Sequence, residues 1–218
     1  MKFLGPLIAV LCLFPAVASA DRADQLLKGC KPILSAHKKS CEVEHVYDCG
    51  QRGFGYLTAT GGKRSSVAFT DRDGDTGDFH RLDEALDITV ESTQTKFSAT
   101  QLLRTGKSTS ETVIRIQTGA LTERVNVVYK ARLKKKRVSF AGYEFATGKG
   151  DMKLTDLATG KKTSITYDLL ISNPAGIHLT GRQTIKRARG TQTFNKSIQN
   201  IVGPGEAGFL SDKGQFGC

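Results

Sequence analysis

A run of carboxylates forms the sharpest chemical motif in the sequence. Carboxylates at every second position can converge on a hard cation such as Ca²⁺, which takes roughly six to eight oxygen ligands. The run resembles the start of an EF-hand loop, but Thr76 stands at its glycine position and Leu82 at its glutamate position. It therefore gives a calcium site as one hypothesis and an ordinary solvated turn as the other. The side chains concerned are Asp71, Asp73, Asp75 and Asp78.

His80 follows this run and is a candidate general base. Paired with Asp78 or Asp83, its imidazole could accept a proton during hydrolysis. The sequence contains neither a Gly-x-Ser-x-Gly nucleophile turn nor a His-Glu-x-x-His zinc motif. We therefore name no catalytic residue and expect a protein that is not an enzyme. The alternative is a calcium-dependent hydrolase centred on the loop from Asp71 to Asp78 and on His80.

Two clusters of basic residues are candidates for binding anions. The chain has 32 Lys and Arg against 21 Asp and Glu, a formal net charge of +11. Basic clusters bind phosphates, anionic lipid headgroups or acidic glycans, and the alternative is a solvated turn that keeps the protein soluble. The first cluster falls between two predicted strands, so we expect a loop there. The clusters are Lys134, Lys135, Lys136 and Arg137, and Lys186, Arg187 and Arg189.

The cysteines are expected to form two disulfides. Four of them follow the first 20 residues, namely Cys30, Cys41, Cys49 and Cys218. Their spacing leaves all three pairings open. His37, Cys41, His45 and Cys49 recur at every fourth position, but four ligands along three helical turns cannot meet at one ion. The same residues also alternate with a strand period, so disulfides are preferred to a metal site, and no cofactor other than Ca²⁺ is considered.

Residues 1–20 have the features of a cleaved signal peptide. An apolar run from Phe3 to Val17 is followed by Ala18-Ser19-Ala20, the small residues that signal peptidase requires. We expect an exported protein, periplasmic or secreted, with disulfides suited to an oxidising compartment. Export argues against a nucleic-acid partner. No later apolar segment is long enough to predict a membrane span.

The remaining sequence predicts a mainly β fold. Runs that alternate apolar and polar residues, clearest at 123–133 and 163–172, indicate roughly ten strands at about 8–12-residue spacing. We expect an antiparallel barrel, half-barrel or sandwich, with another strand at 95–103. Residues 21–40 are the only helical candidate, in two short pieces because Gly29 and Pro32 interrupt them.

Four Thr-Gly-(x)-Lys segments, at 60–63, 105–107, 147–149 and 159–161, predict turns. The Gly-x-Trp signature of lipocalins is excluded because the chain has no Trp, and no family is recognised.

One domain is expected after the signal peptide. Residues 21–50 supply a Cys-rich helical segment and the first strand, and residues 51–218 supply the antiparallel β part of the same domain. The function expected is non-enzymatic binding. The ligand is an apolar or amphipathic molecule inside the sheet, or an anionic envelope surface such as lipid that contacts the basic loops. A structural or inhibitory interaction module, with an unknown protein partner, is a further alternative.

Overall fold

The computed structural model describes residues 18–173 and 176–215, and most of them lie in antiparallel strands. Two α-helices accompany the strands, α1 (Ala18–Leu26) and α2 (Ala99–Thr105). The strands are β1 (Lys31–Lys38), β2 (Glu42–Asp48), β3 (Phe54–Thr60), β4 (Lys63–Thr70), β5 (Thr76–Arg81), β6 (Leu86–Thr95), β7 (Lys107–Thr118), β8 (Leu121–Phe140), β9 (Tyr143–Asp156), β10 (Lys162–Asn173), β11 (His178–Arg187), β12 (Gly190–Phe194) and β13 (Ile198–Val202).

All thirteen strands belong to one sheet. Each strand pairs with the next along the chain up to β12, and β13 pairs with β1. The sheet is not closed, because β12 and β13 are its two edges. Only residues 195–197 separate these edge strands, so Phe194 and Ile198 lie within about 15 Å of one another. The two edges therefore approach each other at this end of the sheet.

The core is divided between the two faces of β10. Leu170 belongs to a cluster that contains Leu34 of β1 and Tyr56 of β3. Its neighbour Leu169 belongs to a second cluster, with Leu102 of α2. Successive strand residues point to opposite faces, so the β1–β3 part of the sheet covers one face of β10 and α2 covers the other. A third cluster packs α1 against β3 and β4.

The N-terminal helical segment is shorter than expected. Helix α1 ends at Leu26, Gly29 adopts a φ of +80°, and residues 31–38 form strand β1. The prediction of helix beyond residue 30 was wrong because the apolar residues of this segment also suit a strand covered on both faces. Pro32 is accommodated where the register with β2 shifts. Neither helix among the described residues is long and apolar enough to cross a bilayer.

The strand predicted at 95–103 is also wrong, since α2 occupies most of it. Ser98 caps this helix by accepting a hydrogen bond from the Gln101 N–H at 3.0 Å. Gly106 ends it with a φ of +76°. Ser-x-x-Gln is the sequence form of a capping box, and this signal indicates a helix start.

The fold class is confirmed as mainly β and antiparallel, with corrections to its form. Thirteen strands are present among the described residues instead of roughly ten, and a closed barrel is wrong because their one sheet has two edges. The basic loop expected at 134–137 is part of β8. The signal-peptide prediction falls mainly on residues 1–17, which lie outside the described residues, and α1 begins at Ala18, before the predicted cleavage point.

One disulfide joins described residues. Cys30 and Cys49 are bonded with an S–S distance of 2.06 Å, across a sequence separation of 19. Cys218 lies outside the described residues. Replacing both Cys30 and Cys49 with Ser is expected to lower the free energy of unfolding by about 3 kcal/mol, because the open chain gains conformational freedom. Urea unfolding would measure this loss, and an unchanged midpoint would contradict it.

Candidate functional site

A bulge in β8 brings the predicted lysines to the edge of a cleft. Leu133 pairs with Gly148 and Arg137 with Ala146, so Lys134, Lys135 and Lys136 together face one β9 residue. That residue is Thr147, whose hydroxyl donates to the carbonyl of Lys136 at 2.9 Å. A bulge bends the strand and redirects its side chains. All three lysines are exposed.

The cleft beside this bulge has a volume of about 320 Å³, and we call it the lysine cleft. Its walls are largely apolar and its charged residues are two lysines and one aspartate. Asp168 forms an ion pair with Lys149 at 2.7 Å. Among described residues, no carboxylate pairs with Lys134 or Lys136. The lining residues are Lys134, Lys136, Val138, Phe140, Thr147, Gly148, Asp168, Leu169, Leu170, Gly181, Ser197 and Ile198.

The other basic residues lie elsewhere. Arg137 is neutralised by an ion pair with Glu144. Lys186 and Arg187 end β11, and Arg189 lies in the turn that leads to β12. Arg187 is six residues beyond Gly181 of the lysine cleft, which is about 20 Å along a strand. The structure therefore does not bring the two predicted basic clusters together.

The carboxylates of the β4–β5 turn and of Asp78 in β5 accept hydrogen bonds from backbone N–H groups. Asp71 accepts hydrogen bonds from the backbone N–H groups of Asp73 and Asp75, both at 2.9 Å. Asp73 accepts from the first turn of α2 at 2.8 Å, and Asp75 from the N–H of residue Phe97 at 3.0 Å. Asp78 accepts from β6 at 3.4 Å. Within 18–173 and 176–215, no group of three or more His, Cys, Asp or Glu side chains is placed to hold a metal ion. The carboxylates order the turn and attach it to α2.

His80 does have a carboxylate partner, but not one of those expected. Its Nδ1 lies 2.8 Å from the Asp87 carboxylate, across the β5–β6 ladder. The same carboxylate accepts from Arg22 of α1 at 2.6 Å. Asp83, one of the predicted partners, is bound by Arg81. The His80–Asp87–Arg22 group therefore connects α1 to the sheet.

A hydroxyl–imidazole–carboxylate series was missed in the sequence. Ser35 Oγ lies 2.8 Å from His45 Nδ1, and His45 Nε2 lies 3.2 Å from Asp212. Such a series can activate a hydroxyl, but Ser35 is completely buried and also accepts from the Leu210 N–H at 3.1 Å. Burial lowers the pKa of His45, although Asp212 opposes the effect. The group attaches the segment after β13 to β1 and β2.

A four-residue ion cluster lies between β1, β2 and the link that joins the sheet edges. Lys38 is only 2% exposed and contacts Glu42 at 2.8 Å and Glu44 at 3.0 Å. Glu42 also pairs with Lys196 of the 195–197 link. Burial by itself would lower the pKa of Lys38, but the two carboxylates outweigh this effect and raise the pKa. The cluster is electrically balanced.

A second cavity, which we call the inner cavity, lies between β2–β5 and β9–β11. Its volume is about 360 Å³. Tyr56, Ala68 and Phe79 are cross-strand partners and share one wall. His178 lines the cavity, and its Nε2 is buried without a hydrogen-bond partner among the described residues. An unsatisfied buried polar atom costs about 1–3 kcal/mol. Lining residues are Glu44, Tyr56, Ala68, Phe69, Thr70, Thr76, Phe79, Met152, Tyr167, His178, Thr180, Gln183 and Lys196.

His178 was not predicted as a cavity residue. Its imidazole stacks on Phe97, with ring centroids 5.5 Å apart, and burial lowers its pKa to about 4. The ring is therefore neutral near pH 7.

Comparison with protein-family models, with curated proteins and with solved structures gives no match for this chain.

Proposed function

We propose that the protein is an exported, non-enzymatic binding protein that holds an anionic amphiphile in the lysine cleft. One observation carries the proposal: two lysines that have no carboxylate partner among the described residues border a cleft whose walls include Val138, Phe140 and Leu170. An acyl chain can replace water along these walls, which is favourable in proportion to the apolar area covered. A phosphate or carboxylate head can then contact the two ammonium groups.

The size of the cleft limits the ligand. Pockets for small molecules span roughly 300–1,000 Å³, so a cleft of about 320 Å³ suits a short chain or one segment of a longer lipid. Lipid of the envelope is the source that we propose, because the signal-peptide pattern and the Cys30–Cys49 disulfide both fit an oxidising, exported location. The anionic surface that supplies this lipid is predicted to contact Lys186, Arg187 and Arg189.

Decanoate and 1-decanol test the proposal, because they share a chain length and differ in charge. Calorimetry is expected to show decanoate binding that falls about tenfold in the Lys134→Gln/Lys136→Gln variant, since each exposed ion pair contributes up to about 1 kcal/mol. Binding of 1-decanol should change little. The matched control is Lys135→Gln/Lys153→Gln, which removes the same charge from exposed positions outside the cleft.

Two results would overturn the proposal. One is that the wild-type protein binds neither compound, and that solvent extraction of the purified protein yields no lipid. The other is that the control variant loses as much decanoate affinity as the cleft variant, which would show that overall charge, and not the cleft, attracts the anion.

We also propose that Cys41 and Cys218 form the second disulfide. Cys30 and Cys49 bind each other, and Cys41 lies in the turn between β1 and β2. The N–H of Gln215 donates to His37 of β1 at 3.4 Å, so the chain reaches this strand three residues before Cys218. Peptide mapping without reduction should give a linked Cys41–Cys218 peptide. Alkylation of Cys41 in the unreduced protein would contradict it.

A further inference from the structure

The inner cavity differs from the lysine cleft in position and in chemistry. Its walls are partly aromatic, because Tyr56, Phe79 and Tyr167 are among the residues that line it. Aromatic rings favour offset stacking and edge-to-face contacts with another ring. Met152 adds a thioether, which also makes favourable contacts with rings. The walls therefore suit a flat aromatic ligand better than a flexible chain.

The charged groups that line the inner cavity already form ion pairs. Glu44 pairs with Lys38 at 3.0 Å, and Lys196 pairs with Glu42. A charged ligand would enter without a counter-ion of its own, and an unpaired charge is costly to bury. An uncharged ligand meets no such cost.

The imidazole of His178 supplies the specific polar contact. Its backbone N–H donates to the Tyr56 hydroxyl at 3.2 Å, which fixes the residue against the cavity wall. Its ring lies against Phe97 and Tyr129, with centroids 5.5 and 6.3 Å away. The buried Nε2 has no hydrogen-bond partner in the described part of the chain. A ligand hydroxyl can donate to this nitrogen or accept from it, so it suits either neutral tautomer.

We propose that the inner cavity is a second ligand site, for a compact uncharged aromatic molecule with a hydroxyl group that hydrogen-bonds to His178 Nε2. A volume of about 360 Å³ is at the lower end of ligand pockets, which suits a molecule of one or two rings. This site does not depend on the lysine cleft, and either site can fail without the other.

Three probes with the same ring test this site: p-cresol, toluene and p-toluate. Titration followed by NMR of labelled histidine is expected to move the His178 ¹⁵Nε2 resonance with p-cresol and not with toluene. Affinity for p-cresol should exceed that for toluene and p-toluate by about tenfold, as expected for one neutral hydrogen bond. The wild-type protein alone suffices for these measurements.

The His178→Phe variant separates recognition from packing, because it keeps an aromatic ring and removes the nitrogen. It should lose about tenfold in affinity for p-cresol, retain toluene binding and leave decanoate binding unchanged. His80→Phe is the matched control outside the cavity. The proposal is overturned if p-cresol leaves the His178 resonance unmoved at high concentration, or if His178→Phe binds p-cresol as tightly as the wild type. If His178→Phe does not fold, the ¹⁵N titration decides the matter.

Discussion

Replacing Lys38 with Met is expected to lower the free energy of unfolding by about 3–5 kcal/mol, the range for removing one partner of a buried ion pair. Lys38 is almost completely buried and has two carboxylate partners. Glu42 keeps Lys196 as a cation after the change, but Glu44 loses the only ion-pair partner that it has among the described residues. The cost is that of a buried, uncompensated carboxylate.

Urea unfolding measures this effect, and Lys196→Met is its matched control. The side chain of Lys196 is 30% exposed, and Glu42 keeps Lys38 when Lys196 is removed, so the control should lose only about 1 kcal/mol. Adding Glu44→Gln to Lys38→Met should restore part of the stability, because the unpaired charge is then gone. Equal losses in Lys38→Met and Lys196→Met would contradict the assigned role of the buried pair.

Stability is expected to fall as the pH drops from about 6.5 toward 4, because of the buried His37 and His45 and the partly buried His178. Burial lowers the pKa of His37, His45 and His178 in the folded protein, and that of His178 to about 4. Below the ordinary pKa of 6.5 the unfolded chain takes up protons that the folded chain does not, which favours unfolding. His178 alone should account for about 3 kcal/mol between pH 7 and pH 4.

Denaturant midpoints measured from pH 7.5 to 4.5 test this dependence. Most Asp and Glu side chains remain ionised above pH 5, so the upper part of the range isolates the histidines. The His178→Phe variant should have a flatter profile than the wild type. A midpoint that stays constant from pH 6.5 to 4.5 would contradict the prediction, because it would mean that folding does not lower the pKa of these histidines.

The turn segments show how far local sequence predicts this fold. Gly61 and Gly62 join β3 to β4, and Gly160 lies between β9 and β10, as the Thr-Gly-(x)-Lys pattern predicted. Gly106 ends a helix, and Gly148 lies within β9. A side chain at Gly148 would meet the carbonyl oxygen of Arg132 at 2.5 Å, so glycine is needed there for close packing. A glycine in the sequence can therefore indicate a turn, a helix end or close packing between strands. The neighbouring strands are needed to tell these three apart.

The candidate sites were predicted only in part for a related reason. The sequence identified Lys134 and Lys136, because clustered charge is visible in it. It did not identify the apolar walls beside them, which β8, β10 and β13 contribute. His178 is one isolated histidine in the sequence, and its role depends on neighbours from distant strands. Ser35 and Asp212 likewise meet at His45 only after folding.

The pairing of β1 with β13 determines the order in which the chain can fold. The meander from β2 to β12 uses neighbouring segments, but β1 needs a partner from the far end of the described chain, and the His37–Gly208 contact joins residues 171 positions apart. Contacts this distant in sequence form late. Until then the outer edge of β1 can pair with another chain, and Lys31, Pro32 and Lys38 are residue types that discourage such pairing. A nascent chain released before residue 198 would keep that edge open, and aggregation is its expected fate.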